Sequence, residues 1–165
     1  MRTRIVAVDG PGGAGKSSFA ARLASVLGDC QIIHTDDFAS WDNPVDWWPT
    51  FLDEVLVPLA AGASATFTPT SWDGLPKAAR TIRAEGVVIL EGVTASRAAF
   101  RPFLTYAIWI ETPRDLRLRR GIERDGEAMR TQWQAWMAAE DRYAEEEHPE
   151  RHADLVLPGD EDLWL

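Results

Sequence analysis

The chain has 165 residues, with 26 acidic and 17 basic side chains and a formal charge of −9. That length suits one domain with a sizeable core, and 45% hydrophobic with 26% charged residues excludes a disordered chain. So acidic a balance argues against general nucleic-acid binding, which needs basic surface, and against docking on anionic membranes. The charge is uneven: residues 140–165 hold ten acids and two arginines, which leaves residues 1–139 near neutral at −1. A lone cysteine, Cys30, and a strand-like start (MRTRIVAVDG) in place of a leader fit a reducing, cytoplasmic setting. No run approaches the ~18 apolar residues of a membrane span.

In chain order, apolar runs alternate with helical stretches, which predicts a parallel α/β sheet. Ile5–Val8 reads as a β-branched strand, 10–15 as a glycine-rich loop and Lys16–Leu27 as an amphipathic helix. Gln31–Thr35 reads as a second strand, and Trp47–Ala60 as a helix with Pro49 in its first turn and Pro58 near its end. Thr66–Trp72 is β-like, but Pro69 makes it an edge strand or a loop. Val87–Leu90 and Leu104–Ile110 read as strands, Arg114–Glu123 and Glu127–Glu147 as helices, and Leu155–Leu157 as a last short strand. No linker divides the chain, so residues 1–165 are expected to form one domain.

The strongest motif is Gly10-Pro11-Gly12-Gly13-Ala14-Gly15-Lys16-Ser17, which fits G-x-x-x-x-G-K-[ST] between a strand and a helix. Glycines let backbone N–H groups converge on phosphate oxygens, and the helix N-terminus adds its positive end. Lys16 would reach the β- and γ-phosphates and the Ser17 hydroxyl would ligate Mg²⁺, with Ser18 beside them. Only two lysines occur, and placing one here suits a loop that needs a compact charge on a flexible stem.

Two further acids follow strands. Asp36 and Asp37 come just after the second strand, where ligands of open α/β sheets bind. A carboxylate there can take a proton from a substrate hydroxyl, although a turn pair would look the same. Glu91 ends the apolar run Val87–Leu90, the pattern of a strand delivering a carboxylate to Mg²⁺. Five of the fifteen arginines crowd into residues 114–124, and Arg117, Arg120 and Arg124 share one helical face. Guanidinium forks suit phosphate; a salt-bridged surface helix is the plainer alternative.

Trp41 and Trp72 could stack a base or a sugar, or simply pack. Trp47 and Trp48 begin a helix, and Trp133 and Trp136 share a helix face, so core or interface roles are expected for these four.

In this order GPGGAGKSS (10–18), TDDF (35–38), VVILEG (87–92) and RLRRGIERD (117–125) resemble the uridine kinase-like branch of the P-loop small-molecule kinases. The resemblance implies the three-layer α/β P-loop NTPase fold, a parallel sheet flanked by helices, with a short helical lid at about 114–127. It implies an ATP-dependent kinase with Mg²⁺ that phosphorylates a hydroxyl of a small molecule, a nucleoside or related metabolite. On it, Asp36 takes the base position, Arg120 and Arg124 match phosphate-contacting lid arginines, and Glu91 matches the acid after the third strand. Lys16, Asp36, Arg120 and Arg124 are then the expected catalytic set. Asp37, Phe38, Trp41, Trp72, Asp73 and Arg117 are candidate substrate contacts, with Trp72-Asp73 matching an aromatic–acid pair. Residues 153–159 match a last strand and adenine-side loop, so of the acidic segment only Asp154 and Asp160 are expected near nucleotide. No nucleic-acid or membrane partner is expected, and the chain would act as a monomer or homodimer. The alternatives are a kinase for a sugar or vitamin precursor, and a nucleotide-binding regulatory protein without efficient transfer.

Overall fold

Strand residues alternate between the two faces of one central sheet, and that alternation builds the core. In β1 (Arg4–Asp9), Ile5 and Ala7 join one buried cluster while Val6 and Val8 join the other. β5 (Val87–Glu91) repeats the pattern, with Val88 and Leu90 on the first side and Val87 and Ile89 on the second. A strand covered on both faces reads as an unbroken apolar run, which is why these two were legible. The computed structural model describes residues 3–160, so Glu161 and Asp162 of the acidic segment lie outside the described residues.

β1 and β5 pair with β2 (Cys30–His34), β6 (Tyr106–Glu111) and β7 (Leu155–Pro158) in the order β2-β5-β1-β6-β7, all parallel. The chain leaves β1 toward β2 on one side and later crosses from β5 over β1 to β6. The crevice at the carboxyl end of β1 is therefore the place where this sheet can take a ligand. α1 (Lys16–Leu27) covers one face, with Ala20 packed on Val8, Ile89, Ile108 and Ile110.

The opposite face is covered by a continuous helical stretch: α2 (Trp48–Phe51), a π-helical turn (Leu52–Leu56) and α3 (Val57–Ala60). Phe51, Val55, Leu56 and Leu59 are buried there. The widened turn comes directly before Pro58. In a regular helix the Pro58 ring would clash with the Glu54 carbonyl, and widening the helix relieves that clash. The predicted helix is thus present, but not as a regular α-helix.

The Thr66–Trp72 stretch supplies only β3 (Ala65–Phe67), which pairs antiparallel with β4 (Arg80–Ile82) in a separate two-stranded sheet. β4 has no counterpart in the sequence reading, because RTI is too short to carry a period. α4 (Arg114–Asp125) and α5 (Arg130–Glu147) follow β6, and α6 (Pro149–His152) leads into β7. No helix among the described residues is long and apolar enough to cross a membrane.

Candidate active site

The loop between β1 and α1 is fixed from several sides. Gly13 has φ +75°, and a Cβ there would sit 2.8 Å from the Arg117 carbonyl oxygen, so only glycine fits so close to α4. The Arg120 guanidinium donates through Nη1 to the carbonyls of Gly13 (3.1 Å) and Gly159 (2.9 Å). Lys16 is buried and donates from Nζ to the Pro11 carbonyl at 2.8 Å. Ala14 is fully buried, while Ser17 and Ser18 are exposed at the head of α1. Gly10, Gly12, Gly13, Gly15, Lys16, Ser17 and Ser18 thus form one turn at the carboxyl end of β1.

Glu91, at the end of β5, reaches the same place. Ser17 Oγ donates to Glu91 Oε1 at 3.1 Å, and His34 Nδ1 lies 2.6 Å from Glu91 Oε2. Burial pushes the Glu91 carboxyl up, but the His34 hydrogen bond, Lys16 and Ser17 together hold it below its ordinary value. The bond to Glu91 raises His34 in turn. Two hard oxygen donors side by side fit a Mg²⁺ ion, which prefers oxygens and usually keeps few protein ligands. Among the described residues no group of three His, Cys, Asp or Glu side chains could hold a metal. A Mg²⁺ here would therefore rest on Ser17, Glu91 and the phosphates of a nucleotide.

Asp36 follows β2 in a short 3-10 turn (Thr35–Asp37) and is open to solvent. The neighbouring walls still crowd it: desolvation raises its pKa, Lys16 and more weakly Arg124 lower it, and Glu91 raises it. The expected base, loop lysine and lid arginine therefore share one electrostatic neighbourhood. Asp37 does not share it so openly, because Arg80 of β4 holds its carboxylate at 2.6 Å.

Several expected ligand contacts have other work. Phe38 packs on Trp47, Phe51 and Phe67, so it belongs to the core and not to a pocket wall. Asp73 accepts from Ser71, Leu75 and Lys77 within its own loop, which lowers its pKa to about 2. Arg117 is 8% exposed, behind the loop, with Nη1 3.7 Å from Glu140 Oε2. It is placed to support the loop and not to meet a substrate. Arg124 lies over the Trp133 ring (5.4 Å) and pairs with Asp125 at 2.9 Å.

Trp41, Trp72 and Trp136 come together from three parts of the chain, with ring centroids 5.3–5.7 Å apart. Trp72 Nε1 donates to the Asp36 carbonyl at 2.9 Å, which ties the cluster to the proposed base. Trp47 and Trp48 pack as expected: Trp47 is core, and Trp48 lies under the Arg97 guanidinium at 5.1 Å.

Two acids were not singled out in the sequence. Asp9 is fully buried at the end of β1 and accepts from the N–H groups of Gly10, Thr94 and Ser96 and from the hydroxyls of Ser96 and Tyr143. Burial raises its pKa, and these donors pull it back. Thr94 takes φ 68°, a conformation a β-branched residue rarely adopts, while giving its N–H to Asp9. The signal was in the sequence: Ile5–Gly10 and Val87–Gly92 are both apolar runs ending in an acid and a glycine. The second is Glu140, which accepts the Gly12 N–H at 3.1 Å. The acidic segment is therefore not remote from the loop. Asp154 is, because its carboxylate accepts from Ala107 N near the start of β6, the opposite end of the sheet.

The sheet order, the flanking helices and the loop at the switch point define a three-layer α/β P-loop fold. A structure described as a possible uridine kinase from Bacillus stearothermophilus matches with TM-score 0.71 and 20% identity, over 95% of this chain and 89% of that one. A proposed fructose transport system kinase from Silicibacter sp. TM1040 matches with TM-score 0.65 and 18% identity, over 95% and 90%. Shikimate kinase from Acinetobacter baumannii, solved with shikimate, matches with TM-score 0.53 and 16% identity, over 98% and 87%. No family model matches the sequence, and neither does any curated protein. At these identities the likeness is one of fold.

Proposed function

We propose that this protein is an ATP-dependent kinase that transfers the γ-phosphoryl group to a hydroxyl of a small molecule, a nucleoside or related metabolite. The observation that carries the reading is the convergence at one sheet end of Lys16, the Ser17–Glu91 pair at 3.1 Å and Asp36. The loop N–H groups and Lys16 would bind the phosphates. Bound Mg²⁺ would supply Lewis-acid neutralisation of phosphate charge from Ser17 and Glu91. Asp36 would accept the acceptor hydroxyl's proton and orient its oxygen for in-line attack. Arg120 and Arg124 would stabilise charge on the transferring group, with residues 114–127 acting as a lid that excludes water.

The setting is taken to be the cytoplasm, with one domain acting as a monomer or homodimer and no nucleic-acid or membrane partner. Structural neighbours described as a possible uridine kinase, a proposed fructose transport system kinase and shikimate kinase support a small-molecule kinase in general and leave the acceptor to experiment. ATP consumption across nucleosides, nucleotides, sugars and vitamin-precursor alcohols tests the reading, with Asp36→Asn as the blank. Acceptor-dependent turnover abolished in that variant is the expected result. Tight ATP binding with no acceptor phosphorylated across the panel would replace it with the regulatory alternative.

A further inference from the structure

One face of α5 meets the phosphate loop, the end of β1, α4 and the tryptophan cluster. Trp133, Trp136, Glu140, Tyr143 and Glu147 recur at alternating steps of three and four residues, which places them on one helix stripe. Trp133 packs on Gly121 of α4 and donates to Asp125 at 2.8 Å. Trp136 joins the tryptophan cluster, Tyr143 donates to Asp9 at 2.7 Å, and Glu147 accepts from Ala98 N at 2.5 Å. Glu140 sits at the centre of this stripe.

Its situation is unusual for a carboxylate. It is 4% exposed, it accepts a loop N–H from a residue 128 positions away, and its other oxygen faces Arg117 at 3.7 Å. A buried carboxylate is costly unless paired and hydrogen-bonded; this one has the Gly12 N–H as its hydrogen-bond donor on Oε1, while Oε2 is buried without a hydrogen bond and meets Arg117 at ion-pair distance alone. Where Gly12 would carry a Cβ, Glu140 Oε1 stands 2.9 Å away and the Trp133 ring 3.2 Å away. The Gly12 peptide is thus seated against α5, while the neighbouring Gly13 carbonyl is held from α4 by Arg120.

We propose that Glu140 is a positioning residue for the phosphate loop: it holds the Gly12 peptide from α5 and so presets the loop shape that binds the nucleotide's phosphates. The role rests on the kinase reading above. An N–H given to a carboxylate is not open to a phosphate oxygen, so Glu140 either keeps Gly12 when nucleotide binds or must leave. Its burial and its Arg117 partner favour keeping it.

The test compares Glu140→Ala, which removes the acceptor, with Glu140→Gln, which keeps an acceptor oxygen without the charge. Binding of ATP with Mg²⁺ is measured by calorimetry, steady-state kinetics separates KM from kcat, and amide exchange is followed at Gly12. The Ala variant should bind ATP about tenfold more weakly, raise KM for ATP with little change in kcat, and lose Gly12 protection. The Gln variant should stay within about threefold of wild type and keep that protection. An Ala variant that binds ATP as tightly as wild type, or more tightly, overturns the proposal. So does a Gln variant as weak as Ala, which would make the Arg117 ion pair the operative contact. If the Ala variant does not fold, wild-type exchange decides: the Gly12 amide must stay protected both with and without ATP, and deprotection on ATP binding overturns the proposal. Wild type that fails to bind ATP overturns the kinase reading itself; unaltered binding in the Ala variant overturns the Glu140 role alone.

Discussion

Trp72 donates its indole N–H to the backbone carbonyl of Asp36 at 2.9 Å, so an aromatic from the 68–79 loop fixes the peptide that carries the proposed base. Trp72→Phe keeps ring contact with Trp41 and Trp136 but removes this donor. A neutral hydrogen bond is worth about 1 kcal/mol, so kcat should fall about fivefold with KM for ATP unchanged. Steady-state kinetics checks the split; an unaltered kcat would mean that the bond does not position Asp36.

Asp36→Asn removes the proton acceptor while leaving the phosphate loop intact. Nucleotide affinity should stay near wild type, and phosphoryl transfer should fall by about 10²–10⁴. Calorimetry with ATP and single-turnover transfer to a confirmed acceptor measure the two separately. Lys16→Ala should weaken both.

The acid limb of kcat/KM should lie above the ordinary value of a free aspartate, because desolvation raises Asp36. The base works ionised, so activity is lost as pH falls through this raised pKa. Lys16 and Arg124 oppose the rise, and Arg124→Gln should therefore move the limb to higher pH. A pH–rate profile in which Arg124→Gln shifts the limb downward would contradict the assigned neighbourhood.

Tyr143 is buried, and desolvation first, then Asp9, raises its pKa well above the usual phenol value, so it remains a neutral donor. Tyr143→Phe removes one of the donors to a buried carboxylate. Unfolding in urea should show a loss of about 1.5–3 kcal/mol, the range for bonds to charged groups. Asp9→Ala strands all of those donors at once and should cost more.

The sheet was legible because its strands are short apolar runs that end in turn residues, and the phosphate loop was legible because its chemistry demands a fixed spacing. Glu91 is legible by the same reasoning, and Asp9 carries the same run-acid-glycine pattern but adjoins the loop motif, which hides its separate role. Arg117 and Arg120 lie on one helical face, yet one is buried against Glu140 and the other grips loop carbonyls. Periodicity gives a face and not its neighbour. Glu140 counts in the sequence only as one acid of the 140–165 segment, since composition carries no record of which residue a distant helix is folded against. The tryptophan cluster was out of reach for the same reason: its members stand at 41, 72 and 136.

The stripe on α5 also makes that helix a ruler. Its contacts depend on the angular phase between Trp133 and Glu147, and each residue advances that phase by about 100°. Inserting one residue after Trp136 would leave the aromatic end in place and turn Glu140, Tyr143 and Glu147 away from Gly12, Asp9 and Ala98 together. Chain length within this helix should therefore be far less tolerant of change than its surface composition. A seven-residue insertion, which restores the phase within about 20°, would still displace the contacts by about 10 Å along the axis.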